Sequence, residues 1–238
     1  MTVLGQDGGS FESVACDNSN PSKPVFYLTE DAEDGALRRF RPRRSSGSNT
    51  LHNAGGTFDY LKFLNATHFI WTTNIDAARA KGIDYFGGML YFISKKTYLL
   101  YTLDLKKFTY STSSTNQTLF GDGEFNNSPD QLIRGKGGEV IYLTEDGGKS
   151  IGVYAIDKNN KRYAIFEAYS DIYHGDETTG LAFSPDGRKM YACFQDCGCE
   201  NSDGVDFRCG CLMEFSRTDG KSFDGSTLSL KRHAASGH

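Results

Sequence analysis

The chain lacks several features that define common classes of protein. None of its apolar runs approaches the roughly 18 residues of a membrane-spanning helix, so no transmembrane segment is expected. Basic residues are not in excess, because 26 Lys and Arg stand against 30 Asp and Glu, for a formal net charge of −4. Nucleic-acid binders usually carry a basic face or stripe, so that class of protein is not expected either.

Nucleophile patterns and a leader segment are also missing. The five histidines are scattered, and none belongs to a Ser-His-Asp or Cys-His pattern. The first ten residues are polar and glycine-rich, so the sequence as given shows no signal peptide. The one basic cluster runs into a serine-rich stretch, which favours an exposed strand edge over a polyanion site; its members are Arg38, Arg39, Arg41, Arg43 and Arg44.

A repeated phrase is the main feature that is present. The segments 25–31 and 140–146 are near copies, each reading apolar-Tyr-Leu-Thr-Glu-Asp, with weaker echoes around Tyr91 and Tyr191. With 27 glycines, 13 tyrosines and 17 phenylalanines, the composition is typical of strands and turns. The repeats predict an all-β β-propeller of about four blade units, either small or incomplete. We expect a flexible segment over 1–9, the propeller over 10–233 and a tail over 234–238.

Four of the six cysteines form a symmetric pattern. Two Cys-x-Cys pairs flank a polar stretch, which predicts a hairpin over 196–212. Disulfides 197–211 and 199–209 are favoured; a metal site and free thiols remain alternatives, although Cys-x-Cys spacing is poor for zinc. Sequons at Asn65, Asn116 and Asn126 are compatible with glycosylation. Together these features predict a secreted, extracellular or organelle-lumen protein.

The order of longer phrases resembles that of the PhoX-type alkaline phosphatases. The matching phrases run from Phe11-Glu12-x-Val14-Ala15-x-Asp17 through Ser128-Pro129-Asp130-Gln131 to Glu177-Thr178-Thr179-Gly180. The resemblance covers most of 10–233 and implies a divergent relative of that family's C-terminal part. It also implies a β-propeller that binds calcium and iron and hydrolyses phosphomonoesters.

The resemblance further implies a set of acids at the axial end of the propeller. Hard carboxylate oxygens suit Ca²⁺, so calcium is the expected cofactor. Each acid has an alternative role as a turn or strand-end residue that bonds local backbone N–H groups. The candidate metal ligands are Glu12, Glu30, Asp31, Glu145, Asp146 and Glu177.

Three departures from the family pattern bear on catalysis, and one of them is the cysteine hairpin, which replaces the phrase after the fourth strand. The family's N-terminal segment with an iron-ligating cysteine has no counterpart in this sequence, so iron is not expected. Where the family has Arg-x-Glu, this chain has Arg79-Ala80-Lys81. An ammonium at Lys81 would repel a dication, and as a charge replacement it could lie among the same carboxylates in place of the cation. Arg79 would stabilise developing charge if hydrolysis survives.

These observations leave two functional hypotheses. The favoured one is a calcium-binding propeller scaffold that has lost phosphatase chemistry and binds another protein, a glycan or a chain that completes the propeller. The alternative is a metal-dependent phosphomonoester hydrolase of the PhoX type.

Overall fold

A computed structural model describes most of the chain. The described residues are 10–31, 35–43, 55–74, 80–115, 117–118, 121–122, 128–146, 150–169, 177–195, 199–200, 202–207 and 209–223. They contain twenty β-strands and no helix, so nothing in this part of the chain could cross a membrane as a long apolar helix. The chain divides into two compact units, Met1–Ser113 and Ser114–His238, called unit 1 and unit 2.

Unit 1 contains two antiparallel sheets in which neighbours in sequence are neighbours in space. The first has the order β1(Phe11–Asp17), β2(Val25–Glu30), β3(Arg38–Pro42), β4(Gly56–Phe63) and β5(Phe69–Thr72). The second has the order β6(Ile83–Phe86), β7(Met89–Ser94), β8(Leu99–Asp104) and β9(Thr109–Ser114). Such up-and-down sheets are the building block of propeller blades.

Unit 2 repeats this arrangement. One sheet has the order β12(Ser128–Arg134), β13(Val140–Asp146), β14(Ser150–Asp157) and β15(Arg162–Tyr169), and another has β16(Thr178–Phe183), β17(Lys189–Phe194) and β20(Cys211–Ser216). Two short ribbons accompany them: β10(Gln117–Thr118) with β11(Gly121–Asp122), and β18(Cys199–Glu200) with β19(Asp206–Phe207).

The repeated tyrosines occupy corresponding strands, as their shared context predicts. Tyr27, Tyr91, Tyr142 and Tyr191 lie on β2, β7, β13 and β17, and each of these is the second strand of its sheet. The first three are buried. The repeated sequence phrase therefore marks one structural position in four sheets.

Each unit has its own apolar core. In unit 1 the buried cluster includes Leu61, Phe69 and Phe92, and Phe92 stacks on Tyr101 with ring centroids 4.6 Å apart. In unit 2 the cluster includes Tyr142 and Met190, and the Tyr142 hydroxyl donates a 2.8 Å hydrogen bond to the Phe223 carbonyl. Burying a large apolar side chain contributes about 1.5–3 kcal/mol, so these residues hold the sheets of each unit together.

The cysteine hairpin forms the expected ribbon. Strands β18 and β19 pair through Cys199↔Phe207, and Cys199 is disulfide-bonded to Cys209 with Cα atoms 5.8 Å apart. The prediction for this pair is confirmed. Cys211 is disulfide-bonded as well, while its predicted partner Cys197 lies outside the described residues.

Candidate functional site

The acids of the repeated phrase lie at one end of their sheets, opposite a distortion in the neighbouring strand. In the β1–β2 pair the register shifts between Phe11 and Val14, so two residues of β1 face Thr29 alone. In the β12–β13 pair it shifts between Pro129 and Leu132, so two residues face Thr144. A β-bulge of this kind re-aims side chains and is frequent beside functional sites.

In unit 1 the bulge residue Glu12 meets the ammonium of Lys81. Lys81 lies two residues before β6, and its Nζ is 2.9 Å from Glu12 Oε2. The same Nζ donates a short hydrogen bond to the Asp31 carboxylate, which directly follows β2. The Lys81 and Glu12 side chains are only 13% and 11% exposed, whereas Asp31 is 68% exposed. Glu12, Asp31 and Lys81 are called the Lys81 cluster below.

Electrostatics in the Lys81 cluster favour the charged forms. Desolvation lowers the pKa of Lys81, but the hydrogen bonds to Asp31 and Glu12 outweigh it, so the net pKa lies above the ordinary 10.5. The hydrogen bond from Lys81 is the largest influence on Asp31 and holds its pKa below the ordinary 3.8. At neutral pH the cluster is thus an ammonium between two carboxylates.

Glu30, the last residue of β2, is bound by other groups. Its Oε2 accepts a 3.1 Å hydrogen bond from the Ala36 backbone N–H, and its Oε1 forms a close ion pair with Arg38. The Arg38 guanidinium also lies over the rings of Phe11 and Tyr60, at 5.5 and 5.4 Å from their centroids. A buried carboxylate with these partners is held as part of the sheet.

The basic cluster differs from the expected exposed strand edge. Arg38 is 7% exposed, and Arg39 donates hydrogen bonds of 3.1 and 2.7 Å to Asp59, which is itself buried. Arg41 also pairs with Asp59, at 2.6 Å, and is the more exposed of the two arginines. The expectation was wrong for Arg38 and Arg39 because acids on neighbouring strands, invisible in a local reading, neutralise them.

Unit 2 carries an analogous acidic end. Glu145 is fully buried on β13, and Asp146 forms an isolated β-bridge with Glu177, the residue before β16. The bulge residue Asp130 is 5% exposed and accepts a 3.3 Å hydrogen bond from the Gln131 amide. Asp130 was not among the predicted site residues. Its position relative to the Thr-Glu-Asp phrase, which matches that of Glu12, is the signal that could have identified it.

The described residues do not fit a metal ion in unit 1. Lys81 occupies the space between Glu12 and Asp31, and Arg38 holds Glu30. Across the described parts of both units, no three His, Cys, Asp or Glu side chains are grouped as a ligand set. The cluster's chemistry is therefore that of an internal ion pair.

Of the predicted catalytic and glycosylation residues, only Asn65 lies within the described part of the chain. Arg79, Asn116 and Asn126 fall outside the described residues. Asn65 lies in an exposed turn, where its side-chain oxygen accepts hydrogen bonds from the backbone N–H groups of Thr67 and His68, both at 2.9 Å. Glycosylation at Asn65 stays a prediction.

Antiparallel sheets of three to five strands, with the same tyrosine on each second strand, define a protein of the β-propeller class. Among solved structures, the chain is similar to "Pseudomonas fluorescens PhoX in complex with vanadate, a transition state analogue", with a TM-score of 0.67 and 15% identity. The match covers 93% of this chain and 55% of the PhoX chain, so this chain spans about half of PhoX. No protein-family model and no curated protein matches the sequence.

At this level of identity the likeness shows the fold alone. The predicted all-β propeller is confirmed, and so is its PhoX-like character at the level of fold.

Proposed function

We propose that this PhoX-like β-propeller is a binding scaffold that has lost phosphatase chemistry. The observation that carries the proposal is the Lys81 ammonium, which lies between the Glu12 and Asp31 carboxylates. These are two of the acids that the sequence resemblance assigns to a metal. Lys81 supplies their counter-charge from within the chain.

Coulomb's law gives the size of the repulsion between the Lys81 ammonium and a metal ion bound beside it. A divalent cation about 4 Å from an ammonium is repelled by roughly 8 kcal/mol at an effective dielectric constant of about 20. Glu30 offers little compensation, because Arg38 and the Ala36 N–H already bind its two oxygens. A metal could enter only after Lys81 leaves. Calcium at the acids outside unit 1, which the sequence predicts, is the rival outcome of the experiment below.

Thermal melting with calcium and with a chelator tests the proposal. We expect equal melting temperatures for the wild type and a calcium-dependent rise in Lys81→Glu, because a ligand that binds only the folded state stabilises it. At about a hundredfold excess over Kd the rise should be roughly 5–10 °C for a chain of this size. Lys96→Glu, at an exposed lysine, is the matched control and should show no calcium dependence.

A calcium-dependent rise in the wild type that persists in Lys96→Glu would contradict the proposal. It would favour the calcium-binding scaffold that the sequence predicts, with ligands among Glu145, Asp146 and Glu177.

The alternative function is metal-dependent phosphomonoester hydrolysis. The likeness to PhoX, whose structure holds vanadate as a transition-state analogue, favours this alternative. In it Arg79 would stabilise developing negative charge. Turnover of para-nitrophenyl phosphate by natively purified protein, lost on removal of its metals, would establish the alternative. We expect no turnover above that of a heat-denatured sample.

The proposed partner is another protein or a glycan, in a secreted, extracellular or lumenal compartment. The Cys199–Cys209 disulfide supports an oxidising environment. Glycosylation at Asn65 belongs to the same proposal, and a mass decrease after enzymatic removal of N-glycans from protein made in a secretory host tests it.

A further inference from the structure

A cleft in unit 1 lies at the far ends of the strands next to the Lys81 cluster. β1 ends at Asp17 and β6 ends at Phe86, and a cleft of about 740 Å³ opens beside these two residues. At ~3.3 Å per strand residue, Asp17 is roughly 17 Å from Glu12 along β1. The cleft is thus separate from the Lys81 cluster.

Aromatic rings form one wall of the cleft. Tyr27 lies 5.7 Å from Trp71 and is stacked on Tyr85 at 6.3 Å, measured between ring centroids. Phe86 is 45% exposed at the rim of the cleft. The wall therefore offers an apolar ring surface to a ligand in solvent.

Fixed polar groups stand beside these rings. The Asp17 carboxylate accepts a 2.9 Å hydrogen bond from the Ser19 backbone N–H. Burial raises the pKa of Asp17, but hydrogen bonds from Ser19 and Tyr85 outweigh it and lower the net pKa, so the group is charged at neutral pH. Arg39 is held by Asp59 and lies 4.6 Å over the Trp71 ring. Both groups are pre-positioned, which lowers the entropic cost of binding.

The charges exclude several classes of ligand. A cation is disfavoured because the Arg39 guanidinium already occupies a face of Trp71. The lining carries charges of both signs, because Asp17 is negative whereas Arg39 and Lys106 are positive, so an ionic ligand of either sign meets a like charge. A purely apolar ligand would remove water from the charged Asp17 carboxylate, which is costly even though Ser19 and Tyr85 donate hydrogen bonds to it. A neutral ligand with both apolar faces and hydroxyl groups can pack on the rings and form hydrogen bonds with the charged groups of the cleft.

We propose that this cleft binds a sugar ring of a neutral glycan. The C–H face of a pyranose packs against Phe86 and Tyr85, while its hydroxyls donate to Asp17 and accept from Arg39. The inference rests on the proposed function as a binding scaffold, for which it names the class of partner. It uses no residue of the Lys81 cluster.

The chain contains a single tryptophan, so its fluorescence reports on the cleft directly. The wild type would be titrated with cellohexaose, maltohexaose, mannohexaose and chitohexaose, and with hexagalacturonate as the acidic counterpart. We expect a saturable change in Trp71 emission with at least one neutral hexasaccharide. Phe86→Ala should weaken that binding about tenfold or more, since exposed aromatic rings dominate such contacts.

Phe108→Ala is the matched control, because Phe108 is 46% exposed in the same unit and does not line the cleft. It should leave the titration unchanged. Asp17→Ala, which removes the carboxylate to which the sugar hydroxyls donate, provides a second variant and should weaken binding even if Phe86→Ala proves unstable by thermal melting.

The proposal is overturned if none of the neutral hexasaccharides changes the emission, or if hexagalacturonate alone does so. Equal losses in Phe86→Ala and Phe108→Ala would overturn it too, because the response would then not come from the cleft. Failure of the scaffold proposal is distinguishable, since phosphomonoester turnover and calcium-dependent melting report on other residues.

Discussion

Glu12 and Asp130 occupy the same position in two sheets, each within the bulge of a first strand and opposite the threonine of a Thr-Glu-Asp phrase. The groups around them differ. Glu12 contacts the Lys81 ammonium, whereas Asp130 accepts a hydrogen bond from the neighbouring Gln131 amide. The same β-bulge thus places an acidic side chain at this position in both units, and the surrounding side chains determine its partners.

Replacing Lys81 by methionine should destabilise the protein by about 3 kcal/mol, because it leaves the mostly buried Glu12 carboxylate without its ammonium. Adding Glu12→Gln should recover most of that loss. Urea unfolding of the two single variants and the double variant gives the coupling energy. Lys96→Met serves as control and should change stability by less than about 0.5 kcal/mol. Additive effects at Lys81 and Glu12 would show that the ion pair contributes nothing.

Low pH should reduce the contribution of the Lys81 cluster to the stability of the folded protein. The pKa of Asp31 is lower in the folded state than the ordinary 3.8, so its contribution is present above that value and is lost as pH falls through the folded-state pKa. The pKa of Lys81 is raised above 10.5, so its contribution is present below that value and is lost in strong base.

Urea unfolding at about pH 7 and about pH 2.5 checks the acid side of this dependence. Asp31→Asn should lose less stability between the two pH values than the wild type. In a Lys81→Met background the same substitution should change the pH dependence very little. An equal effect in both backgrounds would assign the pH dependence to other partners of Asp31.

The two buried threonines Thr144 and Thr178 should respond differently to valine. The Thr144 hydroxyl accepts a 3.0 Å hydrogen bond from the Gln131 N–H within the bulge, so Thr144→Val should cost about 1–3 kcal/mol. The Thr178 hydroxyl has no hydrogen-bond partner among the described residues, so Thr178→Val should be neutral or stabilising. Chemical unfolding of both variants provides the comparison, and equal costs would argue against the bulge hydrogen bond.

The Cys199–Cys209 disulfide should stabilise the hairpin locally. The bonded residues are ten apart in sequence, and closing a loop of that size contributes about 2–3 kcal/mol in the chain-entropy model. In the Cys199→Ser/Cys209→Ser variant, amides of the hairpin should exchange hydrogen faster while those of β13 should not. Peptide mapping without reductant should recover Cys199 joined to Cys209; recovery of both as free thiols would contradict the structure.

The repeated tyrosine phrase was sufficient to predict the sheets, because strand periodicity and turn residues are local signals. The environment of the acids was not predictable in the same way. The departure at Lys81 suggested that its ammonium could replace a cation among these carboxylates, but which acids it contacts depends on how β1 lies beside the start of β6. The burial of Arg38 depends on Glu30, and the role of Asp130 depends on a shift of strand register. These are relations between distant segments, and no local pattern encodes them.

The Lys81 ammonium is covalently part of the same chain as the carboxylates that it neutralises. It is therefore present once per molecule and cannot be exchanged or removed by a chelator. A dissociable counter-ion makes folding depend on its free concentration, whereas a covalently attached one is always present at a high effective concentration. The ion pairs of the Lys81 cluster would then depend on pH and would not depend on the concentration of divalent ions in the solution. Such a cluster suits a protein that must stay folded where divalent ions are scarce or fluctuate.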